Sequence, residues 1–142
     1  MGIVVGTDAG TKVLAMAAVE QVEDAAYRGS VRDDTAVIAR WLLDHLGQRI
    51  TTVGLGLRDA SVVRRYARGE VQPPQERAAR LRLLYRVGRT VADAYDAETA
   101  RAFLTGSNPQ LGDRAPLVVI ADDPTEHAAS EVIGAVRALL HG

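Results

Sequence analysis

The chain has 142 residues, 47% of them hydrophobic, with a net charge of -1 and no Cys. It can close a core of its own, and disulfides, thiol catalysis and thiolate zinc sites are excluded. With Trp41 and Phe103 as its only Trp and Phe, the core must be built from Leu, Val, Ile and Ala, which predicts an all-α protein of helices packed on helices.

The first predicted helix is capped by Thr11 and runs to about Tyr27, with Val13, Met16, Ala17 and Val22 roughly on one face and Gly29 as its stop. A second begins after Asp33 or Asp34, buries a stripe of Val37, Ile38, Trp41, Leu42 and Leu46, and ends at Gly47. Residues 50–70 then read as a short segment, a turn at Arg58-Asp59 and a short helix stopping at Gly69. Asp59 caps that helix, turning Val62, Val63 and Tyr66 inward and Ser61, Arg64, Arg65 and Arg68 outward. An apolar side seated on its own domain and an outer side of Arg and small polar groups is how a helix that enters a DNA major groove is built.

The paired prolines of "VQPPQ" (71–75) mark a boundary, and Pro74 starts a long helix to about Tyr95. Its buried stripe is Leu81, Leu84, Val87 and Val91. Arg77, Arg80, Arg82, Arg86 and Arg89 form a side expected to be solvated and to meet the acidic tail. Residues 58–89 hold nine Arg against Asp59, Glu70 and Glu76, a net of +6, whereas residues 90–142 sum to -5. Clustered Arg of this kind suits an anionic partner, nucleic acid being the commonest. Asp96 caps a further helix through Phe103, ended by Gly106. The stretch "GSNPQLGDRAPL" (106–117) is an irregular loop fixed by Gly, Pro, Asn and Asp, with Leu111 and Leu117 held inside it. "PLVVIAD" reads as a helix or a strand, and its place after Pro116 favours a helix. The last helix has a capping-box signature in Asp123, Pro124 and Glu126, followed by Val132, Ile133, Val136, Leu139 and Leu140 at helical spacing.

Residues from about 50 to 142 resemble the type II antitoxins of the Xre/MbcA/ParS class. The residues that carry the resemblance are Asn108-Pro109, Leu111-Gly112 and Pro116-Leu117, behind Phe103 where that family usually has Trp. Upstream, "DASVVRRYARGEVQPP" is similar to the family's recognition helix and its exit, with Tyr66 in place of a common Trp. The chain is then divided into residues 1–72, a helical region carrying a helix-turn-helix-like DNA-binding unit, and residues 73–142, a toxin-binding domain; residues 1 to about 33 lie outside the resemblance and suggest no function. The helix-turn-helix is read as degenerate, because Gly54 and Gly56 fall where its first helix is expected and each costs a helix about 1 kcal/mol.

By the same resemblance, Arg58, Ser61, Arg64, Arg65 and Arg68 contact operator DNA. Phe103, Asn108, Leu111, Val136, Leu139, Leu140, His141 and Gly142 contact a toxin, most often a RES-type enzyme that consumes NAD⁺. The C-terminal segment is then an apolar, anionic plug over the toxin's substrate pocket, which needs no catalytic residue, cofactor or metal of its own. A homodimer and a larger toxin-antitoxin assembly are implied as well. A stand-alone DNA-binding regulator and an inhibitor that has lost DNA binding are the alternatives.

Other short patterns have plainer readings. "VVGTDAGTK" (4–12) resembles the phosphate-binding turn of actin-like ATPases and sugar kinases, but the chain is too short for their two lobes. "DDPTEH" (122–127) gathers acids and a His that a capping box accounts for without chemistry, and His45 reads as a dipole partner at a helix end. With no basic-apolar leader and no apolar run near the ~20 residues that span a bilayer, a cytoplasmic protein is expected.

Overall fold

In a computed structural model, which describes residues 7–123 and 125–142, eight α-helices and no β-strand occur among the described residues. They are α1 (Thr7–Arg32), α2 (Thr35–His45), α3 (Gln48–Gly54), α4 (Ala60–Ala67), α5 (Gln75–Ala94), α6 (Ala97–Thr105), α7 (Pro116–Asp122) and α8 (Glu126–His141), with a 3-10 turn at Pro109–Leu111. The all-α expectation holds, including "PLVVIAD", which forms α7 with Pro116 in its first turn. No described helix is long and apolar enough to cross a membrane.

Helix α5 is the centre of the molecule, since α1, α2, α3, α6, α7 and α8 all pack on it. Its 3.6-residue period turns Leu81, Leu84, Val87 and Val91 inward, and all four are fully buried. They meet Ile38 and Leu42 of α2, Val63 of α4, Leu104 of α6, Ile120 of α7 and Val132 of α8 in one cluster that spans both sides of residue 72. A buried Leu of this kind contributes about 1.5–3 kcal/mol.

Side-chain caps set the starts of four of the eight described helices. The side chain of Asp34 accepts from Ala36 N, that of Asp59 from Ser61 N and that of Asp96 from Thr99 N. Three expectations need correction. The first helix is not capped at Thr11 nor stopped at Gly29: it is already under way at Thr7 and continues to Arg32. Gly29 is buried against α5, where a Cβ would come 3.2 Å from the Tyr85 ring, so it permits close packing instead of ending the helix. The last helix is capped by Thr125, whose side chain accepts from Ala128 N, and not by Asp123. Asp123 instead accepts from Thr125 N at 3.0 Å and holds the cap, so no Asp123–Glu126 capping box forms; the role expected of Pro124 lies outside the described residues. Finally, Gly54 is the last residue of α3 and Gly56, at φ +71°, lies in the turn beyond it, so neither interrupts a helix. Gly54 allows close approach, because a Cβ there would stand 2.8 Å from Leu117 and 2.9 Å from Leu84.

The Arg-rich side of α5 is also not the solvated face expected. Helix α1 lies along it, antiparallel: α1 numbers fall as α5 numbers rise. Arg82 Nη1 donates to Ser30 O at 2.7 Å and Asp33 O at 3.0 Å, capping the α1 C-terminus from a neighbouring helix. The Arg86 guanidinium lies 4.8 Å from the Tyr27 ring centre, and Arg137 of α8 donates to Glu23 at 2.9 Å. Tyr85 Oη donates to Asp33 and accepts from Arg89, and burial followed by the Asp33 bond pushes its phenol pKa up. Among the described residues, the acids paired with α5 arginines are its own Glu76 and Asp93, the latter at the start of the acidic 90–142 stretch, and none comes from α8.

Candidate nucleic-acid and partner interfaces

Two surfaces hold the site residues expected from the sequence. The first is built on α4. Its N-terminus is fixed by Asp59, whose carboxyl is held below the usual range by the Ser61 N–H and then the Ser61 hydroxyl, with a smaller pull from Arg64. Val63, Tyr66 and Ala67 seat its inner side in the core. Arg77 donates to the Tyr66 hydroxyl at 2.9 Å and Arg40 to Ala67 O at 2.8 Å, so the helix is gripped by α5 and α2. Arg64, Arg65 and Arg68 are exposed on its outer side, Arg58 is exposed just before it, and Ser61 is half-buried in its first turn. These five residues thus gather on and around one short, rigidly backed helix.

Two further residues belong to this surface and were not expected. Gln48, the first residue of α3, accepts from Arg64 Nη1 at 2.8 Å. Glu70 pairs with Arg68 at 2.8 Å and with Arg65 at 3.8 Å. Gln48 is sixteen positions from Arg64, and no local pattern marks the pair. Between α3 and α4, Gln48, Arg49, Thr52, Val53, Leu57, Arg58 and Ala60 line an open cleft of about 410 Å³.

The second surface is the corner after α6 together with the end of α8. Asn108 takes the main structural part: its side chain accepts from Gln110 N, and its carbonyl accepts from both Leu111 N and Asp113 N, each at 2.9 Å. Gly112 and Asp113 both take positive φ, and the chain closes in a bridge between Asn108 and Arg114. Leu111 and Leu117 are buried beneath the turn, which packs on α8. The expected partner-contact residues therefore divide. Leu111 and Val136 are core residues at 5% and 2% exposure and offer no surface to a partner. Phe103, Asn108, Leu139 and Leu140 are all half-buried, the two leucines packed against the core edge, and His141 and Gly142 are exposed. Leu140 and His141 border a second cleft, of about 380 Å³, with Ala15, Met16 and Val19 of α1.

Several of the other polar groups have structural partners. Asp122 pairs with Arg114 at 2.9 Å, His127 with Glu131 at 2.9 Å, and no group of three or more potential metal ligands gathers among the described residues. His45 bonds Trp41 O through Nδ1 at 2.9 Å and stacks on the Trp41 ring at 4.2 Å. No protein-family model, no curated protein and no solved structure matches the chain.

Proposed function

We propose that the protein is a type II antitoxin of the Xre/MbcA/ParS class: it binds operator DNA through α4 and neutralises a toxin, of the RES type, through residues 73–142. The observation that carries this reading is the division of α4 into a locked apolar side, Val63, Tyr66 and Ala67, and an exposed side of Arg64, Arg65 and Arg68 with Arg58 beside it. A recognition helix needs both, because base contacts demand a fixed backbone and phosphates demand cations. In this reading α3 and α4 form the helix-turn-helix-like unit. The two functional regions meet near residue 72 but share one core.

The corner at residues 106–117 supports the second half of the reading. It turns the chain so that α7 and α8 pack on α5, with Leu139 and Leu140 only partly buried at the end of α8. Because both are already partly buried, enclosing what remains exposed contributes only a part of the roughly 1.5–3 kcal/mol of a fully buried Leu, as one element of a short apolar segment seated in a substrate pocket. The deciding experiment follows NAD⁺ loss by a RES-type toxin, which this reading expects in a neighbouring reading frame, with full-length protein and with residues 138–142 removed. Full-length protein should inhibit and the truncated form should not, while both bind DNA. Equal inhibition by the two forms would move the contact to the exposed parts of the corner. No inhibition by either would refute the antitoxin assignment.

A further inference from the structure

We propose that Glu70 is a built-in competitor for phosphate on the basic side of α4, keeping the affinity of that surface for nucleic acid low; the proposal rests on the DNA-binding role argued above. Its placement follows from the way α4 ends. Gly69 takes the left-handed conformation at φ +71°, its N–H bonds Tyr66 O at 2.9 Å, and the Glu70 N–H bonds Arg65 O at 3.0 Å. This is the paired hydrogen-bond pattern of a Schellman helix end, and it folds the chain back beside the last turn. A side chain other than Gly would be strained at position 69, so the fold-back has a local cause.

The carboxylate then lies where a phosphate would bind. Arg68 Nε donates to Glu70 Oε1 at 2.8 Å, Arg68 Nη2 is 3.5 Å from Oε2, and Arg65 Nε is 3.8 Å from the same oxygen. The pairing lowers the Glu70 pKa, chiefly through the Arg68 hydrogen bond, and raises that of Arg68. The side chains of Arg65, Arg68 and Glu70 are 53%, 57% and 47% exposed, so the core does not depend on them. Exposed pairs of this kind add little to stability. Their consequence is competition: a carboxylate and a phosphate use the same guanidinium donors. A DNA backbone that reaches Arg65 or Arg68 must displace Glu70 first, whereas Arg64 leaves only the neutral amide of Gln48. Glu70 itself also brings a negative charge toward the polyanion.

The test compares parent, Glu70→Gln and Glu76→Gln in binding a fluorescently labelled duplex of arbitrary sequence across a salt series. Glu76 is an equal charge paired with Arg80 at the start of α5, and so controls for net charge alone. Because E70Q keeps the backbone bonds of the turn, its thermal melting should coincide with that of the parent. It should bind about fivefold or more tightly at low salt, with a salt slope steeper by roughly one per arginine released. E76Q should change affinity less than about twofold, as expected for a charge away from the bound phosphates. Binding by E70Q alone, with none by the parent, would support the proposal in its strongest form. Equal binding by parent and E70Q would overturn it while leaving the DNA-binding role standing, and so would an equal rise in E76Q. Failure of all three proteins to bind any duplex would overturn both.

Discussion

Tyr66 joins the core to the exposed side of α4. Its ring is 2% exposed and its hydroxyl accepts from Arg77 of α5, so one side chain fixes the helix by packing and by direction. Tyr66→Phe should lose about 0.5–1.5 kcal/mol, the ordinary net worth of such a bond, in chemical denaturation. The carboxylates at the helix ends behave differently, because they titrate. Asp59, Asp96 and Asp123 all have carboxyl pKa values lowered in the folded protein by local hydrogen bonds from Ser61, Thr99 and Thr125 respectively. A lowered folded pKa means that the stabilisation is complete above the unfolded carboxylate value and is lost as pH falls through the folded one. The melting temperature should therefore fall on acidification through and below the usual carboxylate range. Asp59→Ala together with Asp96→Ala should flatten that dependence, as read from melting curves over a pH series.

Among the elements, α3 and α4 set the geometry of the basic surface, and Gly54 sets how closely α3 lies on α5 and α7. Gly54→Ala should destabilise the protein despite the better helix propensity of Ala. Overpacking against Leu84 and Leu117 costs about 1–3 kcal/mol, against a gain of about 1 kcal/mol from propensity. A shift of the denaturation midpoint to higher denaturant would refute this. Replacing Arg64 and Arg65 with Ala should leave the fold intact and reduce the salt slope of operator binding by roughly one for each phosphate no longer neutralised, as measured by anisotropy titrations. Much of this element was legible in the sequence, since Asp59 as cap, Gly69 as stop and the spacing of Val63, Tyr66 and the arginines are local signals. Gln48 and Glu70 were not, because their roles depend on an inter-helix contact and on a backbone reversal. At α8 the ambiguity is also local: Asp123 and Thr125 are both competent caps, and the choice between them falls on which backbone N–H groups each can reach. The corner was legible as an irregular, packed loop, whereas the burial of Leu111 and Val136 depended on α8 folding back beneath it.

On the scale of the whole molecule, α1 stands apart. None of its described residues joins the core cluster, and what holds it to the body is the cap from Arg82, the Tyr27–Arg86 stack, the Glu23–Arg137 pair and the close seat of Gly29. That covering of the α5 arginines could not be read from residues 75–94 alone, since a periodic Arg face is the same whether water or another helix lies on it. Met16, at 53% exposure, with Val19 and Leu140 leaves an apolar cleft between α1 and the end of α8. If the homodimer that the resemblance implies forms there, Met16→Glu should shift sedimentation velocity profiles toward the monomer without altering the melting of the core. Because α1 adds no residue to the shared core cluster and reaches α5 through polar contacts beside the buried Ala26 and Gly29, its amides should exchange with deuterium by a partial opening of its own. They should lose protection well before those around Leu84 and Val87, which exchange only when the whole core opens. The protein then carries two tiers of stability in one chain, and a protease acting on the opened form should first cut between Arg28 and Asp34, releasing a core that is still folded.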